Sequence, residues 1–317
     1  MSDLPNAVVA QPVESLKVGI LEDRDDPFIR DLVARLGVES EFLSFGEEVV
    51  APSRAYRVAI DRASYCDAYL TEMMKGLSLD GCYVINNPFA ASATNKLMDI
   101  RLSAQLGIPV PRTMVLPDLG VRGHFPEMVR EPLWERVARE VGFPCVLKPF
   151  DGYGWTDVFV VNSLEEMKDR YGSMTSRRIF LAQQLIPYGV YYRVFCIGQS
   201  EVLFIQWVPR PLGAGEYLAD PGPIEGLRDR LTLLTTELNR ALDLDINALE
   251  WCIDREGQPW LIDAFNEVPE IKRESLPDEH YRWILEKVAA CVHDKLQHPE
   301  KRNRRIFGLP RPSDSGG

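Results

Sequence analysis

The sequence predicts an α/β unit followed by an α+β remainder. Three observations carry this. Strand and helix patterns alternate over 16–92, as in a parallel sheet with crossover helices. Strand patterns follow one another closely in RRIFLAQQLI, VYYRVFCIG and EVLFIQWVP. ALEWCIDREGQPWLIDAFNE, at 248–267, reads as two strands joined by a tight turn.

In chain order, 1–15 is a flexible lead-in. LKVGILE (16–22) reads as a buried first strand, and PFIRDLVARLG (27–37) as a helix opened by Pro and closed by Gly. EFLSF, YRVAID and GCYVIN are further strands, with YCDAYLTEMMKGL a helix between the last two. These complete an N-terminal α/β domain over 16–92. A helix at about 93–106 leads through GIPVPRTMVLP, a Pro-punctuated connector, into a strand. WERVAREVG is a helix ended by Gly142, PCVLKPF a strand, DGYGWTD a glycine loop and VFVVN a strand. SLEEMKDRY is a helix with Ser163 as cap and Glu166 three residues on, a capping box. After the three clustered strands comes a long Gly/Pro-rich loop over 209–226, then the helix LRDRLTLLTTELNRALDL and the hairpin. YRWILEKVAACVHDKL is a closing amphipathic helix, and the 298–317 tail, basic and then Pro/Ser/Gly-rich, is expected to be disordered.

A chain of 317 residues with 45% hydrophobic and 26% charged content can bury a core for two or three domains. The net charge of −11 argues against a nucleic-acid surface. The N-terminus lacks the basic and apolar regions of a signal peptide. No apolar run nears the roughly 20 residues of a membrane span. These features point to a cytoplasmic protein without a membrane partner. Cys66, Cys82, Cys145, Cys196, Cys252 and Cys291 form no CxxC pair and read as reduced, buried thiols. The four histidines form no ligand-spaced cluster, so His-based zinc catalysis and a Cys-His nucleophile are poorly supported.

The hairpin carries the strongest chemical signal. With its turn at Glu256-Gly257, Leu249 faces Ala264, Trp251 faces Ile262 and Ile253 faces Trp260, all apolar. On the other face Glu250 comes opposite Asp263. Facing side chains lie roughly 4.5–5.5 Å apart and like charges there destabilise, so the pair calls for a cation. The acids could instead reach solvent or pair with Lys or Arg, and a looser turn would shift the register. Oxygen ligands without His or Cys favour Mg²⁺ over Zn²⁺. Upstream, Lys148 stands at a strand end before Gly152 and Gly154. Small residues let backbone N–H groups approach an anion, so this loop suits a polyphosphate. It matches neither GxGxxG nor GxxxxGK[ST].

The order of lysine, glycine loop and acidic hairpin resembles the ATP-grasp superfamily, in its glutathione synthetase-like and RimK-like carboxylate–amine ligase branch. The resemblance spans about 16–297. It implies a small pre-ATP-grasp α/β domain and a two-lobed ATP-grasp fold with antiparallel sheets. The lobes would cover 93–182 and 183–297, with ATP and Mg²⁺ (or Mn²⁺) between them. In TNKLMDIRLSAQLGIPVPRT, Lys96 matches a phosphate-contacting lysine. In FPCVLKPFDGYG, Lys148 matches the lysine that holds the α/β-phosphates, beside Gly152 and Gly154 of the flexible loop. IFLAQQLIP resembles the interlobe hinge, making Gln183, Gln184, Leu185 and Ile186 candidates to line adenine. In YYRVFCIG, Arg193 matches an arginine near the transferred phosphate, and Arg210 is a candidate for a substrate or phosphate role. Glu250, Asp263 and Asn266 match the magnesium ligands.

This chain departs from the family pattern at three places. Trp155 and Asp157 stand where the loop often has Gly, so either loop closure over the phosphates differs or Trp155 acts as a lid. Tyr191 stands where a ribose-contacting acid is usual. Two residues, Ala264 and Phe265, separate Asp263 from Asn266 where one is usual. Strict alternation then points Phe265 at the metal, and either a bulge restores Asn266 or Glu267 substitutes for it.

Each reading has a plainer rival: Lys96 as a solvated helix residue, Arg193 paired to a surface acid, Arg210 as a loop charge, Trp207, Trp251 and Trp260 as packing, Asp61-Arg62 as an ion pair within its domain. The resemblance implies a ligase that activates a carboxylate as acyl phosphate for attack by an amine, on amino-acid or peptide substrates, with homodimers common among such enzymes. The alternatives are an ATP-grasp kinase acting on a hydroxyl and a nucleotide-binding module without turnover.

Overall fold

Val18–Leu21 folds as an inner strand of a four-stranded parallel sheet. The computed structural model describes residues 17–46, 55–118, 120, 123, 125, 127–151, 156–173, 179–210, 215–220 and 222–298. Strand β1 (Val18–Leu21) lies between β2 (Ser40–Phe42) and β3 (Val58–Asp61), and β4 (Tyr83–Ile85) pairs with β3, all parallel. Helix α1 (Pro27–Leu36) starts at Pro27, with Asp26 accepting from the Ile29 amide at 2.8 Å. Gly37 ends it in the left-handed region, φ 62°. Helix α2 (Ala68–Leu79) is capped by Asp67.

The helix expected at about 93–106 is present over Lys96–Gln105, and a separate short helix precedes it. Helix α3 (Pro88–Ala93) stops before Asn95, whose side chain accepts from the Leu97 and Met98 amides at 3.1 Å and so caps α4 (Lys96–Gln105). A second sheet follows, of β5 (Thr113–Leu116), β6 (Cys145–Pro149), β7 (Phe159–Val161) and β8 (Phe180–Gln184), in antiparallel order β5-β8-β6-β7. Helices α5 (Trp134–Val141) and α6 (Leu164–Ser173) cover it, and Val137, Leu147, Met167 and Phe180 form its own core. In the capping box the Glu166 amide donates to Ser163 Oγ at 3.1 Å, while Glu166 accepts from the Asn162 amide, one residue earlier than the simple pattern.

The third sheet has antiparallel order β11-β10-β9-β12-β13, from β9 (Tyr188–Ile197), β10 (Glu201–Val208), β11 (Glu216–Tyr217), β12 (Ile246–Asp254) and β13 (Pro259–Asp263). Short β11 falls in the stretch expected to be loop. Strand periodicity divides β9 cleanly. Val194 and Cys196 pack towards α7 (Arg228–Leu242), whereas Phe195 and Ile197 share a core with α8 (Asp278–Gln297) and the parallel sheet. The parallel and third sheets thus grow from one apolar cluster, joining Ile20, Phe28 and Ile85 to Phe195, Ile246 and Ile284. Each fully buried side chain of that kind is worth about 1.5–3 kcal/mol.

Five cysteines are buried and Cys66, in a 3₁₀ turn, is exposed. Among the described residues no helix is long and apolar enough to cross a membrane.

Candidate functional site

The two hairpin acids meet as expected, but by a different route. Glu250 is paired with Asp263. Beyond that pair the register slips by one, so Trp251 faces Leu261 and Ile253 faces Pro259 rather than Ile262 and Trp260. The cause is a bulge on β13. Leu261 packs in the core with Trp251, while Trp260 and Ile262 turn to the opposite face beside Cys252. Strict alternation from Leu261 would send Asp263 into the core; the extra residue returns it to the face of Glu250. The turn itself is built as read: Gly257 has φ 83°, and Asp254 accepts from the Glu256 and Gln258 amides at 3.0 and 2.8 Å.

A second irregularity follows Asp263. Asn247, fully buried, donates from its side chain to the Ala264 carbonyl and accepts from the Asn266 amide, both at 2.8 Å. This side chain stands in for a strand partner. Ala264 and Phe265 both pack against the core. Asn266 is left on the site face; with its side-chain amide turned so that oxygen and nitrogen exchange places, the oxygen accepts from Arg193 Nη2 and the nitrogen donates to the Val268 carbonyl at 3.2 Å.

Lys96 and Lys148 converge on the acids from the other side. Lys148 is the penultimate residue of β6, and the Lys96 amide, first in α4, donates to the Phe150 carbonyl at 3.1 Å, which ties helix start to strand end. Lys96 Nζ lies 2.6 Å from Asp263 Oδ2. Burial is the largest single influence on Lys96 and lowers its pKa, but the charge and hydrogen bond of Asp263, with the Glu250 and Asp99 charges, together outweigh it and the net shift is upward. Burial would raise Asp263; Lys96 and Lys148 hold it below the usual carboxylate range instead. Lys148, 7% exposed, is pushed down to about 8 by burial against the pull of Asp263. Glu250 accepts from Arg193 Nη1 at 3.1 Å and from the Tyr191 hydroxyl at 2.7 Å. Burial still lifts its pKa despite the adjacent guanidinium. The rival expectation of Lys or Arg partners is therefore met in part: the partners are the same cations expected to hold phosphate.

Asp99 was not anticipated. It lies on α4, one turn from Lys96, 2% exposed, with neither carboxylate oxygen hydrogen-bonded. It shares a cavity of about 10 Å³ with Ser103, Lys96, Lys148 and Asp263. Burial, then the charge of Asp263, pushes it up to about 8. Its three-residue spacing from Lys96 was the available signal, since such residues share a helix face.

The remaining candidates lie as follows. Ile186 joins an apolar wall with Tyr191, Trp207 and Cys252. Gln183 donates to Thr113 at 3.0 Å, and Gln184 is engaged with Arg112 through both its backbone amide and its side chain. Leu185 is half-buried beside them. Arg210 is not brought to the cluster: it pairs with Glu216 at 3.1 Å, both more than half exposed. Trp251 is core, Trp207 lies under Arg193 at 5.3 Å, and Trp260 donates to Asp254 at 2.9 Å. Arg62 forms the ion pair expected within the N-terminal domain, with Glu22 at 3.5 Å rather than with Asp61, and also donates to the Pro269 carbonyl at 3.1 Å. Burial raises Glu267 to about 7. Gly152, Gly154 and Trp155 lie outside the described residues.

No family model and no curated protein matches the sequence. Solved structures do match the fold. The ATP-grasp ligase PsnB, complexed with minimal precursor, Mg and ADP, superposes with TM-score 0.62 at 17% identity, covering 88% of this chain and 98% of that one. A RimK-domain ATP-grasp protein from Sphaerobacter thermophilus gives 0.61 at 22%, covering 88% and 98%. D-alanine–D-alanine ligase from Bacillus anthracis, complexed with ATP, gives 0.67 at 15%, covering 91% and 100%. With its parallel N-terminal sheet and two antiparallel sheets, and superposing on these proteins over nearly their whole length, this chain has the ATP-grasp fold.

Proposed function

We propose that this protein is an ATP-dependent ligase that joins a carboxylate to an amine. The observation that carries the reading is the convergence of Glu250 and Asp263 with Lys96, Lys148 and Arg193 on one buried patch, two acids and three cations. A nucleotide triphosphate with a divalent cation has the complementary charges. Solved structures of the same fold, bound to ATP or to Mg and ADP, support it.

The donor set fits Mg²⁺: two carboxylates facing one another and an amide oxygen at Asn266 are hard oxygen ligands. Glu250, Asp263 and Asn266 would hold the ion, which when bound would neutralise phosphate charge. Lys148 and Lys96 would bind phosphate oxygens, and the glycine loop with Gly152, Gly154 and Trp155 would cover them. Ile186, with Gln183, Gln184 and Leu185 at its edge, would receive the base. The substrate carboxylate attacks the γ-phosphorus and ADP leaves. The amine then attacks the acyl carbon, phosphate leaves, and the amine gives up a proton. Arg193 would stabilise charge on the transferring group, and catalysis would come from positioning and electrostatics, with no covalent nucleophile on the protein. Amino acids or peptides are the proposed substrate class, as PsnB was solved with a precursor peptide.

ADP release is the test, screened with Mg-ATP against amino acids, short peptides and hydroxy acids, with hydroxylamine added to hits. Substrate-dependent ADP and a trapped hydroxamate are expected. A phosphate ester inert to hydroxylamine would make the protein a kinase, and nucleotide binding without any turnover would make it a binding module.

A further inference from the structure

Glu250 is held at both oxygens by a neighbouring strand, and the two donors differ in kind. Arg193, its direct partner on β9, donates to Oε1 at 3.1 Å. Tyr191, two residues earlier and so on the same face, reaches diagonally and donates to Oε2 at 2.7 Å. The phenol is 6% exposed. Its ring packs edge-on to Tyr188, 5.2 Å away at 69°, and tilted against Trp207, 5.7 Å away at 59°. Backbone pairing sets Tyr191 opposite Cys252, which is fully buried. The hydroxyl therefore has little freedom to move.

A cation at this place would orient the carboxylate and cancel its charge. A phenol orients it and leaves the charge intact, because a neutral hydroxyl donates one hydrogen bond and remains neutral. Burial lifts the Tyr191 pKa well above the ordinary phenol value, which keeps it a donor.

We infer that Tyr191 is a positioning residue for Glu250. By occupying one lone pair of Oε2 it sets the carboxylate rotation, so that the remaining lone pairs are presented towards Asp263 for a divalent cation. This rests on the Mg-nucleotide reading above. Hydrogen-bond partners of metal-binding carboxylates typically change metal affinity 10–100-fold when removed.

Tyr191→Phe keeps the ring and its packing and deletes only the hydroxyl. ADP binding to the full chain is titrated by calorimetry across a Mg²⁺ series, and Mn²⁺ binding in the presence of ADP by electron paramagnetic resonance. For the variant we expect about tenfold more Mg²⁺ or Mn²⁺ at half-saturation. Its ADP affinity without divalent ion and its thermal midpoint should match wild type. Unchanged metal dependence overturns the inference, because Glu250 is then oriented without the phenol. A parallel fall in thermal midpoint and in metal-free ADP affinity also overturns it, by making Tyr191 a packing residue. Trp207→Phe, which perturbs the ring clamp but spares the hydroxyl, should shift metal dependence less than Tyr191→Phe; an equal or larger shift counts against the hydrogen bond. If wild type itself binds ADP with no Mg²⁺ dependence, the functional reading fails, and this inference with it.

Discussion

Asp99 sits 2% exposed among two lysines and a second acid, yet neither of its oxygens is hydrogen-bonded. Its folded pKa is raised to about 8, so the folded chain binds this proton more tightly than the unfolded chain. Its contribution to stability is therefore greatest in acid and is lost as pH rises from about 4 to about 8. Asp99→Asn keeps the shape and removes the ionisation. Urea denaturation should find the variant more stable at pH 8, by an amount on the order of 1.4 kcal/mol for each pH unit by which the pKa is raised, with the gap closing near pH 4.5. Lys148 behaves in the opposite sense for ligand binding. Buried and lowered to about 8, it is charged at neutral pH and loses its proton in mild alkali. The Kd for Mg-ADP should rise up to about tenfold per pH unit above about 8, as one linked proton requires. Lys148→Arg, which keeps its charge, should flatten that rise. Lys96, Lys148 and Asp263 were legible in the sequence because each stands at or next to a strand or helix end, Glu250 because the hairpin register sets it opposite Asp263, and Arg193, inside its strand, only through the resemblance of YYRVFCIG. Asp99 and the donor role of Tyr191 were not, because both depend on contacts between distant segments: Tyr191 reaches Glu250 across 59 positions of sequence.

Among elements, the hairpin shows how a correct pairing can rest on an incomplete register. Alternation placed Glu250 opposite Asp263, but it could not show that Trp260 and Ile262 leave the core face, because the β13 bulge is set by tertiary packing around Leu261 and Trp251. The shift at Asn266 likewise depends on a side chain, Asn247, that closes the gap with two hydrogen bonds of 2.8 Å. Asn247→Leu would leave the Ala264 carbonyl and the Asn266 amide without those partners. It should cost about 2–4 kcal/mol by chemical denaturation, from two groups at the usual 1–3 kcal/mol each less some relaxation. It should also weaken Mg²⁺ dependence of ADP binding, since Asn266 would no longer be held on the site face. The start of α4 likewise rests on a side chain: Asn95 accepts from the Leu97 and Met98 amides and separates α4 from the short α3 before it.

Over the whole molecule, the parallel sheet and the third sheet share one apolar core, whereas the second sheet closes around its own. Asn86 reinforces the first union, donating to the Ile246 carbonyl at 2.7 Å and accepting from the Ile246 amide at 2.7 Å. The α/β alternation of 16–92 was legible because parallel strands and their helices are local patterns. That β4 would reach Asp245 and Ile246, through Tyr83 and Asn86, was not, because nothing in either segment marks its partner. Ile284, fully buried in α8 at this joint, is a sensitive reporter. Ile284→Ala should cost about 2–5 kcal/mol. Hydrogen exchange should then show faster opening in both the parallel and the third sheets together, with β5–β8 unaffected. The central claim concerns the acids between the second and third sheets, and calorimetric titration of ADP across a Mg²⁺ series tests it most directly. Wild type should bind ADP more tightly as Mg²⁺ rises, and Glu250→Gln and Asp263→Asn should each abolish that dependence while leaving metal-free binding to the lysines in place. Full retention of Mg²⁺-dependent binding by both variants would contradict the account.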